Sequence, residues 1–163
     1  MTSDADAPAD PILVGYGDGP VLNAFGDTVQ VKLSGEHTGS RFTVCLSSTP
    51  PGVGPPPHRH HNEDELFLII EGRYEFLING QWLAGGPGDV AYMPRGCVHT
   101  FRNGGETTSK TWIVTNPSGF ESFFGKCSAV FGAGDAPDMG KIFGICAEHG
   151  IEFVPPLGPP AAG

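Results

Sequence analysis

Gly52-Val53-Gly54-Pro55-Pro56-Pro57-His58-Arg59-His60-His61-Asn62-Glu63-Asp64-Glu65 is the stretch on which the reading of this chain turns. Each proline fixes its own φ and biases the residue before it toward an extended form, so the run is a stiff lead into His58. On an extended segment, residues two apart share a side, which puts the imidazoles of His58 and His60 together. Glu65 then opens a strand whose alternate members Phe67 and Ile69 share its face. A carboxylate on an apolar face is costly unless it is paired or bound to a metal. His61 is out of phase with the other two histidines and reads, with Glu63 and Asp64, as a solvated turn.

A second stretch, Met93-Pro94-Arg95-Gly96-Cys97-Val98-His99, turns at Pro94-Arg95-Gly96 and brings His99 onto the face of Phe101. Three imidazoles and one carboxylate suit Fe, Mn, Ni, Co, Cu or Zn without choosing among them. His37 and His149 stand alone and read as packed or surface residues. Cys97 reads as a small buried thiol, and Arg59 and Arg95 as solvated turn residues.

Outward from these stretches the chain is built of short alternating runs. Strands are predicted at Val21–Phe25, Thr28–Leu33, Arg41–Ser47, Glu65–Glu71, Tyr74–Ile78, Asp89–Met93, Val98–Arg102 and Lys110–Thr115. Ser34–Gly39 and Gly85-Gly86-Pro87-Gly88 read as turns, and Asn79-Gly80 is a strong hairpin signal. Eight or nine strands in about 95 residues with turns between them indicate an antiparallel sandwich or barrel. After Asn116 the period changes. Ser118-Gly119-Phe120-Glu121 has the form of a capping box, and Phe120, Phe123, Phe124 and Cys127 recur at helical spacing. A second helix is expected from near Asp135-Ala136-Pro137, with Met139, Ile142, Phe143, Cys146 and Ala147 on one stripe, ending at Gly150.

Composition limits what this container does. The chain has 163 residues, 9 Lys plus Arg against 18 Asp plus Glu, and a formal charge of −9. There is no basic run to grip phosphates, which argues against a nucleic-acid partner. No apolar run reaches the roughly 18 residues of a membrane span, and the N-terminus lacks the features of a signal peptide. Four cysteines, far apart and with no C-x-x-C pair, read as reduced thiols, so a soluble cytoplasmic protein is expected. The expected organisation is a flexible tail over 1–11, a β-barrel over 12–116, a helical extension over 117–154 packing on the barrel or a partner subunit, and a Pro-rich tail over 155–163.

The two stretches resemble the motifs of the cupin superfamily. The first motif, G-x5-H-x-H-x4-E-x6-G, is met by Gly52, His58, His60, Glu65 and Gly72. The second, G-x5-P-x-G-x2-H-x3-N, is met by Gly88, Pro94, Gly96, His99 and Asn103. The resemblance implies an all-β fold, a small antiparallel β-barrel or jelly roll followed here by two C-terminal helices, holding one divalent metal through His58, His60, Glu65 and His99. The segment Asn116-Pro117-Ser118-Gly119-Phe120-Glu121-Ser122-Phe123-Phe124 carries a narrower resemblance to single-domain bacterial cupins related to quercetinase, which cleave flavonols with dioxygen.

That narrower likeness implies a metal-dependent dioxygenase acting on an aromatic enol or flavonol-type substrate, with Glu65 as ligand and as general base. An apolar cavity with a few polar points suits such a substrate. Its expected walls are Phe42, Phe67, Phe76, Tyr92, Phe101 and Trp112, with Phe120, Phe123, Phe124 and Met139 as a lid. Two other uses fit the same ligands: a non-oxidative isomerase, cyclase or lyase, and a small-molecule binding or sensor module without turnover. Fold analogy does not separate them. A homodimer is expected, with a small aromatic substrate and dioxygen as the other partners.

Overall fold

The computed structural model describes residues 10–134 and 136–155. Most of both expected tails, and Asp135 near the expected start of the second helix, lie outside the described residues. Strands β1 (Val21–Ala24) and β2 (Asp27–Leu33) form a hairpin, and β3 (Thr43–Thr49) pairs with β2 after a single helical turn, α1 (Gly35–Thr38). Next come β4 (His58–His60), β5 (Asp64–Glu71), β6 (Tyr74–Ile78) and β7 (Gln81–Gly85), then β8 (Val90–Met93), β9 (His99–Asn103) and β10 (Ser109–Asn116). Helices α2 (Phe120–Phe131) and α3 (Met139–Glu148) follow, and the chain then adds β11 (Ile151–Phe153) to β4. That last strand falls inside the segment expected to be helical. Three residues after a Gly150 with φ of 66° are too few to show a period.

The strands make two antiparallel sheets, ordered β1-β2-β3-β10-β5-β8 and β11-β4-β9-β6-β7. They face one another across an apolar core in which Phe67 of one sheet meets Phe76 and Phe101 of the other, ring centroids 5.3 and 5.2 Å apart. Among the described residues the two sheets do not join into one closed ladder. The β6–β7 hairpin turns at Asn79 (φ 50°) and Gly80 (φ 77°), the left-handed pair expected there. Asn103 is fully buried and organises the loops behind the sheets. Its amide donates to the Thr49 and Thr107 carbonyls at 2.7 Å, and its side-chain oxygen accepts from Gly105.

β3 and β10 reverse the usual rule of apolar residues inward. Thr43, Cys45, Ser47 and Thr49, with Ser109, Thr111 and Thr115, are buried on the inward face. Val44, Leu46, Trp112 and Val114 occupy the opposite face, where Trp112 stands in register with both Leu46 and Leu68. On that outward side the buried Lys32 ammonium donates to the carbonyls of Gly15 at 3.0 Å, Asp18 at 2.7 Å and Tyr16, fastening the segment before β1 to the sheet.

α2 buries Phe120, Phe123, Phe124 and Cys127, and α3 buries Ile142 and Cys146. The N-cap of α2 is Gly119, not Ser118, but Glu121 does reach back. Its carboxylate accepts from the Gly119 amide at 3.0 Å, from the Gly35 amide at 2.7 Å and from the Thr43 hydroxyl. Met139 and Phe143 are exposed. All four cysteines are free thiols. Among the described residues no helix is long and apolar enough to cross a membrane.

Candidate metal centre and its cavity

The alternation that builds the sheets brings the four polar residues of the two motifs together. His58 and His60 point inward from β4, and His99 opens β9 directly opposite His58. Glu65 comes from β5 of the facing sheet, in register with Thr115 and Met93. The turn before β9 depends on Gly96, whose φ of 84° suits glycine and whose amide donates to the His60 carbonyl at 2.7 Å. One donor atom from each of His58, His60, Glu65 and His99 lies within 4.8 Å of the others, and all four residues are buried.

Each ring is held from behind. His58 Nδ1 is 2.8 Å from the Pro56 carbonyl, which fixes the proton there and leaves Nε2 as the free donor atom. His99 Nδ1 is 3.3 Å from the Cys97 carbonyl, and its Nε2 is 3.0 Å from Glu65 Oε2. His60 Nδ1 is 3.3 Å from Glu63 Oε2, and its Nε2 is 3.6 Å from Glu65 Oε2. Glu63 is therefore a correction to the sequence reading: it is 8% exposed and orients His60 instead of lying in a solvated turn. The signal available was its place three residues after His60, on the turn that folds back beneath the ring. His61 and Asp64 do face away, pairing with Glu152 and Arg95.

Burial, reinforced by the neighbouring His99 and His60, pushes His58 down to about 3, so this ring is neutral. Burial works to raise the Glu65 carboxyl, but His60 and His99 outweigh it and hold it down near about 2. His60 moves the other way: desolvation disfavours its charge, yet Glu65 and Glu63 leave its pKa raised. Among the described residues no Lys or Arg pairs with Glu65; its partners are imidazoles. A buried carboxylate faced by three nitrogens with their outer protons already committed has the donor chemistry of a divalent transition-metal site. The cluster fits such an ion.

The cluster opens on a narrow cavity with about 50 Å³ open to the centres of water-sized molecules. Of the residues expected as its walls and lid, Phe101, Phe120, Phe123 and Phe124 line it. Phe67 and Phe76 lie deeper, in the core between the sheets. Phe42 and Trp112 are half-buried in the phase opposite to the inward Thr43 and Ile113, and Tyr92 is exposed on the edge strand β8. Met139 is exposed and takes no part in the lid.

The remaining walls escaped sequence reading. Phe25, at the tip of the β1–β2 hairpin, has a φ of 55°, a region rarely used by an aromatic residue. Ring contacts with Phe123, Phe124, Phe131 and Phe153 surround it, centroids 5.0 to 6.5 Å away. Ala24, Asp27, Val29, Pro55, Ile113, Ile151 and Phe153 complete the surface. Helix α2 is thus a roof, with the Phe120 ring centroid 6.2 Å from that of His60.

Residues 45–115 match a family model described as the cupin domain. Over 92 residues the chain is 29% identical to a protein named quercetin 2,3-dioxygenase from Bacillus subtilis (strain 168), a match covering 56% of this chain and 27% of that protein. A protein of Aquifex aeolicus (strain VF5) described as uncharacterized is 30% identical over 76 residues, covering 47% of this chain and 59% of its own. The match thus spans less than two thirds of either relative. Among solved structures, that of KdgF from Halomonas sp. superposes with a TM-score of 0.62 at 15% identity, covering 69% of this chain and 99% of that one.

Proposed function

We propose that this chain, whose residues 45–115 match the cupin-domain model, is a metal-dependent dioxygenase acting on an aromatic enol or flavonol-type substrate. The observation that carries the proposal is a buried cluster of three imidazoles and a carboxylate set in the wall of an aromatic cavity. The similarity to a quercetin 2,3-dioxygenase over 56% of the chain points the same way.

His58, His60, Glu65 and His99 would hold the ion, which when bound supplies Lewis acidity toward an enolic hydroxyl and a meeting place for substrate and dioxygen. The chain's own residues do the rest. Phe101, Phe120, Phe123 and Phe124 offer ring faces to a flat substrate and keep water away from the cluster. Glu65, buried in the cluster, would take the proton of the enolic hydroxyl as general base. His58 and His60 stay fixed through Pro56 and Glu63 while that proton moves.

The test is dioxygen uptake by Fe, Mn, Co and Ni forms against a flavonol panel. Uptake with at least one pair is expected, and silence in every combination would refute the assignment. Glu65→Gln should keep its metal and lose turnover; loss of the metal itself would reduce Glu65 to a ligand. We also place the contact of the expected homodimer on the outward face of the six-stranded sheet. Its support is the half-buried Val44, Trp112 and Val114, extended by the exposed Val90 and Tyr92. Light scattering should give the mass of two chains, and a mass of one chain at every concentration would exclude the contact.

A further inference from the structure

Besides His58, His60 and Glu65, one polar residue lines the cavity among the described residues: Asp27. It opens β2 in the inward phase of Val29 and is 6% exposed. No lysine or arginine pairs with it among the described residues. Its Oδ1 accepts from the Thr28 amide at 2.9 Å and the Thr49 hydroxyl at 3.1 Å. Its Oδ2 has one partner, the Ser47 hydroxyl at 2.7 Å, so an acceptor lone pair is left over. Behind it, Thr49 is 3.0 Å from the Tyr74 hydroxyl, which donates to the Ser109 carbonyl at 3.0 Å. The network fixes the carboxyl from both sheets, and burial raises its pKa. The other ionisable groups around it are Tyr74, reached through Thr49, the inward Cys45 of β3, and the three cluster residues of the shared cavity.

Placement adds a length. β3 and β10 separate β2 from the strand that carries Glu65. The register adds an offset along the strands, since Glu65 stands at the level of Thr115 and Thr43 while Thr28, next to Asp27, stands at that of Ser48. The two points are therefore more than three strand spacings, roughly 14 Å, apart along the sheet. The apolar lining of the same cavity includes Phe101 and Ile113. A ligand that satisfies both points is elongated and aromatic, with metal-binding oxygens at one end and a hydroxyl donor at the other.

We propose that Asp27 is a specificity-determining residue, the acceptor for a hydroxyl at the end of an elongated aromatic ligand remote from its metal-binding oxygens. It rests on the flavonol-type substrate proposed above. A purely structural Asp27, pinning β2 to β3, gives a different result in the following test.

The zinc-loaded protein is titrated under nitrogen with two probes. One is 3-hydroxyflavone, which carries only the enolone oxygens, and the other is quercetin, which carries further ring hydroxyls. In Asp27→Asn the side-chain carbonyl stays with the Thr28 amide, so an NH2 group replaces Oδ2 and its free lone pair. Quercetin affinity should fall about tenfold, and 3-hydroxyflavone affinity should stay within about twofold. Equal losses for both probes, or no loss for either, overturn the assignment. Binding of neither probe by the wild type would sink the flavonol substrate class, and phenol alone then decides Asp27. Phenol-induced NMR shifts at the Thr28, Ser47 and Thr49 amides that vanish in Asp27→Asn sustain it; their absence in the wild type overturns it.

Discussion

Replacing Glu121 by Gln should loosen the roof of the cavity by an amount that the hydrogen bonds set. The Glu121 carboxylate ties three elements: the Gly35 amide of α1 at 2.7 Å, the Thr43 hydroxyl of β3, and the Gly119 amide at the start of α2 at 3.0 Å. A glutamine keeps one oxygen. With that oxygen toward Gly119 and Thr43, its NH2 group faces the Gly35 N–H, and one donor is left unpaired. A hydrogen bond to a charged group contributes about 1.5–3 kcal/mol, and Glu121 is only half-buried, so the expected cost is about 2 kcal/mol. For a chain of this size that lowers the melting temperature by about 4–8 °C. It also lowers the urea midpoint by about 1 M at an m-value near 2 kcal/mol/M.

The loss should depend on pH in a definite sense. Burial pushes the Glu121 carboxyl up, but the Thr43 hydroxyl and the Gly35 and Gly119 amides outweigh it and hold its pKa below the ordinary value of 4.5. The stabilisation is therefore complete above that value and disappears as pH falls through the folded-state pKa. Urea curves for wild type and variant should differ at pH 7 and converge in acid. A midpoint unchanged at pH 7, or a gap that persists undiminished in acid, would refute the reasoning.

Glu63→Ala should free the His60 ring and weaken zinc binding about 10–100-fold in a chelator competition, with little change in fold. Gly72→Ala places a Cβ 2.1 Å from Ser109 Oγ at a φ of 81°, so a loss of about 2 kcal/mol or more is expected in urea unfolding. Tyr74→Phe removes the hydroxyl that donates to Ser109 and meets Thr49, and should cost about 1–3 kcal/mol by the same assay.

Much of this site is legible in the sequence for a simple reason. A strand repeats every two residues, so His58 and His60 share a side whatever surrounds them, and Glu65 falls in step with Phe67 and Ile69. Alternation does not say which side is inward. In β3 the apolar set Val44 and Leu46 faces out while Thr43, Ser47 and Thr49 face in, because the interior there is a polar network reaching Tyr74 and Asp27. Phe42 and Trp112 follow the outward phase and so miss the cavity. Phe25, Ile151 and Phe153 reach the cavity through the packing of distant segments, which no local period encodes. Glu63 reads as a solvated turn residue until its partner three residues away is in place, and Asp27 falls between two predicted strands with nothing local to mark its partner 20 residues away.

The most direct test of the account is the metal content of the purified protein, read together with its melting temperature. One divalent transition-metal ion per chain is expected in the wild type, lost in His58→Ala/His99→Ala. Adding metal at about 100 times its dissociation constant should stabilise the wild type by about 2.7 kcal/mol and leave the variant unmoved. Protein that carries no metal and whose melting temperature ignores every added divalent ion would contradict the claim that His58, His60, Glu65 and His99 form a metal centre.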